Sequence, residues 1–179
     1  MGRKTRELTL ISFLSVVIAI SGIFKLPGLI PGTEFQMSAP IAIGICATFG
    51  FKRYIYSGII ASFINLLMGT HTIFNIIVAM IFRLVAGGLI GIFGSSISVV
   101  TIAGPVGTFI GRIIMSFITG ASLKALIFAA SIGMVYTAIS SYLVFKLIKN
   151  ITINTSYKEF IVRKNKFKRK RERDGYELI

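Results

Sequence analysis

The chain contains no tryptophan, one cysteine, one histidine and four prolines, and only six acidic residues against twenty basic ones. Each shortage closes off a class of function. Cys46 stands alone inside an apolar segment, which rules out an internal disulfide framework and reads as a small buried hydrophobe. His71 has no second histidine, cysteine or aspartate at a useful spacing, so no zinc site is expected. There is no H-E-x-x-H, no G-x-S-x-G, no pair of carboxylates and no Walker A lysine. An enzyme is therefore not expected, nor is a metal or a resident cofactor. No soluble ATPase domain is present either, so any uphill transport draws on an ion gradient or on a partner. The lack of tryptophan removes one stacking surface for a ligand, and phenylalanine and tyrosine remain.

What is abundant is apolar. Hydrophobic residues make up 54% of the 179 residues and charged ones 15%, below the roughly 25% usual in soluble chains. The charges gather at the ends and in short connectors, leaving uncharged runs near the 20 or so residues that span a bilayer as a helix. The formal charge of +14 is suggestive of nucleic-acid binding until it is mapped: eight basic residues lie between Arg163 and Arg173, and Arg3, Lys4 and Arg6 open the chain. Basic ends flanking apolar spans follow the positive-inside rule, and this is favoured over a nucleic-acid arm. The apolar run after the basic start has no A-x-A site and is followed by more spans, so it reads as a retained first helix rather than a cleaved signal.

The expected fold is an all-α polytopic membrane protein, a compact bundle of six transmembrane helices with both termini cytoplasmic. Residues 1–149 form the membrane domain and residues 150–179 a basic cytoplasmic tail. The helices are expected near Leu8–Phe24, Met37–Phe49, Ile55–Met68, Thr72–Gly94, Ile102–Thr119 and Leu123–Ile148. With six spans, the N-terminus, Lys52-Arg53 and the C-terminus lie inside, and only Lys25 and Lys124 fall outside. Anionic headgroups attract each basic side chain of the tail by about 1 kcal/mol. Between the first two helices, KLPGLIPGTEFQ carries two Pro-Gly pairs yet stays apolar. Two readings stand for it, a cap dipping onto the bundle that brings Glu34 and Gln36 inward, or an interfacial loop facing solvent.

The segment Thr72–Gly94 holds the main puzzle. Arg83 lies near its middle and is followed by Ala86, Gly87, Gly88 and Gly91, while Arg112 sits at a similar depth in the next helix. An arginine at mid-membrane costs about 2.5–3.5 kcal/mol on insertion scales, so it needs protein, water or a ligand beside it. The sole acid away from the chain ends is Glu34. Either Glu34 folds in, or an anionic ligand takes up the charge through paired hydrogen bonds, or the arginines cap carbonyls and snorkel. The glycines allow a second helix to approach closely. Asn75 lies two turns from Arg83, about 80° away around the helix. Tyr136 is a further polar candidate, and His71 reads as a solvated turn residue.

In the first helix Ser12, Ser15, Ala19 and Gly22 recur at spacings of three and four and form one small-residue stripe. Six helices in this length, basic inner ends, the stripe and the apolar outer loop together resemble the substrate-binding S components of energy-coupling factor (ECF) transporters. The runs PGLIPGTEFQMSAPIAIGICATFGFKRY and GTHTIFNIIVAMIFRLVAGG carry the likeness. The resemblance implies a prokaryotic plasma-membrane protein that captures a vitamin or related micronutrient from outside, docks on a T component powered by two ATP-binding subunits, and topples to release its load. An Ala-x-x-x-Ala pattern in helix one packs on the T component in that family. Ser15 and Ala19 occupy those positions here, with Ser12 and Gly22 beside them, and serine replaces the first alanine. The family's pocket regions correspond to Glu34, Gln36, His71, Asn75, Arg83, Arg112 and Tyr136. The alternative is a stand-alone secondary transporter or small channel working as a homo-oligomer, for which the sequence offers neither inverted halves nor an acidic proton relay.

Overall fold

The computed structural model describes residues 2–27 and 34–162, with the backbone alone described at 25–27 and 34–36. Six α-helices follow in order: α1 (Arg3–Ile23), α2 (Ser38–Phe49), α3 (Phe51–Leu67), α4 (Ile73–Phe93), α5 (Ile97–Thr119) and α6 (Leu123–Ile153). A 3-10 turn, Ser156–Phe160, ends the described chain. Where a loop was expected between α1 and α2, a short antiparallel ladder forms from β1 (Lys25–Pro27) and β2 (Glu34–Gln36), with Leu26 opposite Phe35. The Pro-Gly pairs fall in 28–33, outside the described residues.

Four helices, α1, α4, α5 and α6, are long and apolar enough to cross a membrane. At 1.5 Å per residue the 12-residue α2 reaches about 18 Å, well short of the roughly 30 Å hydrocarbon core. It is instead the central helix. Ala42, Ile43, Ile45, Cys46, Ala47 and Phe49 are all buried, and α2 meets every other helix of the bundle. The surface around it is apolar: Phe13, Ile20, Ile92, Phe117 and Ile139 are exposed. Such a surface suits acyl chains rather than water, and with the four long apolar helices it marks a membrane protein.

The two ends of the bundle are built differently. At one end Gly50 turns α2 into α3 with φ +88, a backbone conformation open to glycine at little cost. The Ser156–Phe160 turn folds back beneath this junction, burying Phe160, and the Val162 amide donates to the Thr48 carbonyl at 2.8 Å. Arg6 pairs with Glu159 at 2.9 Å and Arg53 with Glu7 at 2.7 Å. The stretch expected to begin a surface tail at residue 150 is thus helical to Ile153 and packs on the bundle as far as 162, while 163–179 lie outside the described residues. At the other end, the Asn65 carbonyl accepts the Thr70 and His71 amides at 3.0 and 3.2 Å and winds the α3–α4 turn inward. The α1 end meets the sheet there, with the Met37 amide donating to the Phe24 carbonyl at 3.2 Å.

Small residues set the helix spacings. A Cβ added to Gly87 would stand 2.9 Å from the Phe51 ring and 3.0 Å from that of Tyr54, so α3 and α4 close along a face that only glycine keeps free. A Cβ at Gly107 would meet Phe82 at 3.0 Å and Ala86 at 3.1 Å, which brings α5 onto α4 in the same way. The small stripe of α1 serves contacts inside the chain. Ser15 and Ala19 are buried, and Gly22 lies against Asn65 and His71. One turn before Ser15, the Ile11 carbonyl accepts from Ser57 of α3 at 3.2 Å. Ser12 alone of the four faces outward, with Val16 and Ile20 on the same side.

Candidate functional site

A cavity of about 350 Å³ draws on all six helices. Its walls are Ile18 from α1, Ser38, Ala39 and Ala42 from α2, and Tyr54 from α3. From α4 come Phe74, Asn75, Val78, Ala79, Phe82 and Arg83. Thr108, Arg112 and Met115 of α5 and Ala130, Gly133 and Thr137 of α6 complete it. It spans the first three turns of α4, from Asn75 to Arg83, a run of about 12 Å at 1.5 Å per residue. Asn75 is placed by the N-cap, where Thr72 Oγ1 accepts the Asn75 amide at 3.4 Å. The cavity thus lies toward the end that holds the sheet and the α3–α4 turn, away from the Arg6 and Arg53 ion pairs.

Arg83 is held by α3. Its side chain lies across Gly58 so closely that any Cβ there would run into Nε and Cδ, and Cζ would be 3.1 Å away. Nη1 donates to Ser62 Oγ at 2.6 Å and to Met80 Sδ at 3.5 Å. Gly58 and Ser62, four residues apart, form one face of α3 and serve as a shelf for the guanidinium. Tyr54 stands one turn earlier on that face, wholly buried, and its hydroxyl has no hydrogen-bond partner among the described residues. Arg112 is half-buried, with Nε enclosed and likewise unpartnered among the described residues.

No described side chain in the cavity is a carboxylate. Glu7 and Glu159 are occupied at the opposite end. The walls carry two guanidiniums, a phenol, an amide and three hydroxyls on an otherwise apolar lining. This donor set is chemically suited to an anionic group on an apolar body of modest size, because arginine presents paired N–H groups in the spacing of a carboxylate or phosphate. Among the described residues no group of three or more His, Cys, Asp or Glu side chains forms a metal-binding cluster.

The residues picked from the sequence divide. Asn75, Arg83 and Arg112 converge on the cavity. His71 does not line it and is not the solvated turn residue expected. It is buried at the end of α1, where Nε2 lies 3.3 Å from the Gly22 carbonyl, because Asn65 winds the turn inward. Tyr136 is half-buried beside a separate shallow depression with Ser131, Ile132 and Val135. Glu34 and Gln36 lie in β2, Glu34 opposite Pro27 and Gln36 opposite Lys25, and their side chains are outside the described residues. Tyr54 was missed, since beside Lys52 and Arg53 it reads as an interfacial aromatic. Its spacing of four from Gly58, and of eight from Ser62, was the signal that it faces inward.

No protein-family model and no solved structure matches the chain. It is similar to Protein BioX of Lysinibacillus sphaericus, with 47% identity over 145 residues, covering 81% of this chain and 87% of that protein. At that identity and coverage the chain belongs to the BioX family.

Proposed function

We propose that the chain is the substrate-capture (S) subunit of an ECF-type importer, taking up a small vitamin-like molecule that carries a carboxylate. The observation that carries this reading is the cavity built from all six helices, with Arg83 and Arg112 in its walls and no described carboxylate beside them. A binding chamber with spare cationic donors and no catalytic set suits capture and release. Biotin, a ureido-fused bicycle of modest size on an alkyl chain ending in one carboxylate, offers that carboxylate and is the first compound to test.

Counting the short α2 and the 17-residue α3 together with the four long helices gives six passes, which puts Arg6 and the Ser156–Phe160 turn on one side. Arg3, Lys4, Arg6, Lys52 and Arg53 lie at the clasped end, and Lys124 begins the last helix at the other. The positive-inside rule then makes the clasped end cytoplasmic and leaves the cavity toward the outside, as uptake requires. Docking on a T component falls to the outward face of α1, Ser12, Val16 and Ile20, because Ser15, Ala19 and Gly22 are spent on packing within the chain.

Reconstitution tests the reading. Proteoliposomes holding the chain together with a T component and two ATP-binding subunits are expected to accumulate labelled biotin on addition of ATP, and those holding the chain alone are not. Ion-driven accumulation by the chain alone would instead identify a stand-alone secondary transporter.

A further inference from the structure

The Tyr54 hydroxyl is a loose end in the bundle. Tyr54 lines the cavity, and its phenol oxygen is wholly buried with no partner among the described residues. Leaving such a group unbonded is unfavourable, and in folded proteins a water, an ion or a bound ligand usually completes it. Its ring is confined on the α4 side. The ring packs against the bare backbone of Gly87, 3.0 Å from where a Cβ would be, so it has no room to swing away. One turn along the same helix face, Gly58 carries Arg83.

We infer that Tyr54 and Arg83 form one anion-binding unit, in which the Tyr54 hydroxyl donates to the same carboxylate that the Arg83 guanidinium holds, and that Gly58 is the positioning residue that keeps Arg83 at that depth. The inference rests on the reading of the cavity as a carboxylate site and adds its third donor and its location, at the floor rather than at the mouth beside Asn75. A bound carboxylate accepts from the phenol and from the guanidinium together, and its apolar body then extends toward Phe74 and Phe82. A neutral amide of the same shape lacks the charge and the second acceptor oxygen that the guanidinium fork pairs with, and binds far more weakly.

The test uses purified full-length protein and two matched pairs of probes, biotin with biotinamide and valerate with valeramide, followed by thermal-shift titration. The acid of at least one pair is expected to stabilise the wild type and its amide not to. In Tyr54→Phe the unliganded protein is expected to melt at the same or a higher temperature, since an unpaired buried hydroxyl is gone, while the acid's half-saturating concentration rises about tenfold or more. That split separates a ligand donor from a packing residue, whose loss lowers melting temperature and leaves the affinity ratio alone. Gly58→Ala is expected to weaken acid binding as Tyr54→Phe does. Should Gly58→Ala fail to fold, Tyr54→Phe still decides. Equal binding of acid and amide, no stabilisation by either acid, or unchanged affinity in Tyr54→Phe overturns the inference. Tyr54-dependent acid binding together with ion-driven accumulation by the chain alone would keep this inference and remove the importer-subunit reading.

Discussion

The clasped end and the cavity each place two arginines in partly or wholly enclosed positions, and they treat them in opposite ways. At the clasp Arg53 donates to Glu7, to the Phe49 carbonyl at 3.0 Å and to the Phe160 carbonyl at 3.3 Å, with its guanidinium 4.9 Å over the Phe160 ring. Arg6 holds Glu159 and the Ser156 carbonyl and lies 6.0 Å from the Tyr157 ring. In the cavity Arg83 has one hydroxyl and one thioether, and Arg112 keeps a buried Nε without a partner among the described residues. An arginine whose donors are met by carboxylates, carbonyls and ring faces of its own chain is a fastener. One left with donors to spare in a concave apolar wall is the one expected to receive a ligand, because burying an incompletely bonded cation carries a cost that a bound anion or water offsets.

Exchanging the parts tests this contrast, and the largest effect is expected at the clasp. Phe160 is 2% exposed and is the apolar plug beneath the α2–α3 junction. Phe160→Ala is expected to lower unfolding stability by about 3 kcal/mol or more, as truncation of a buried aromatic does. Ligand affinity should be unchanged in the protein that still folds. Guanidinium-chloride unfolding followed by fluorescence of a bound environment-sensitive dye measures the first quantity, and titration with the acid probe the second. A drop in affinity matching the drop in stability would show that the two ends are not independent.

Arg83→Ala is expected to do the reverse. Loss of a charge-assisted, two-donor contact weakens carboxylate binding by about 2–3 kcal/mol, on the order of 30- to 150-fold, read by calorimetric titration. Unliganded stability should hold or rise, since a buried cation with incomplete partners is removed. Arg83→Lys is expected to recover only a small part, because a point ammonium does not reproduce the fork. A variant that binds the acid normally would return Arg83 to the role of a brace between α3 and α4.

Half of this contrast was legible in the chain. The apolar runs and their flanking charges gave the helices, and the mid-helix arginines with no acid nearby pointed to the two cations in the cavity walls, whereas the Arg6 and Arg53 ion pairs were not foreseen. Boundaries slipped where an aqueous or capping signal outweighed hydropathy. α1 begins at Arg3 because charged residues extend the helix beyond its apolar run, and α5 begins at Ile97 because Ser96 Oγ accepts the Val99 amide at 3.5 Å. The central place of α2 was hidden because its shortness only gains meaning once five other helices surround it. The inward turn of Ser15 and Ala19 was hidden for a related reason: a small-residue stripe announces close packing and not which helix it packs on. His71 depends on the Asn65 carbonyl and on Gly22, forty-nine residues away in sequence, and no local pattern reports that contact.

The smallest expected effect sharpens the comparison most. Glu7→Gln removes the carboxylate from Arg53 while keeping shape and an acceptor oxygen. The pair is 2.7 Å long, yet the Glu7 side chain is 38% exposed, so solvent screens it and the loss should be well under 1 kcal/mol. Arg53 keeps the Phe49 and Phe160 carbonyls and the Phe160 ring, which is why a fastener with several bonds survives losing one. Arg83 has no such reserve, and Ser62→Ala, which removes its 2.6 Å acceptor, is expected to cost several times more in a stability measurement than Glu7→Gln does. A charge pair weaker than a single neutral acceptor is the order expected if burial, rather than formal charge, decides which arginine is short of partners. Equal losses in the two variants would mean that the cavity is as wet as the clasp, and the case for a ligand-completed cation would fall with it.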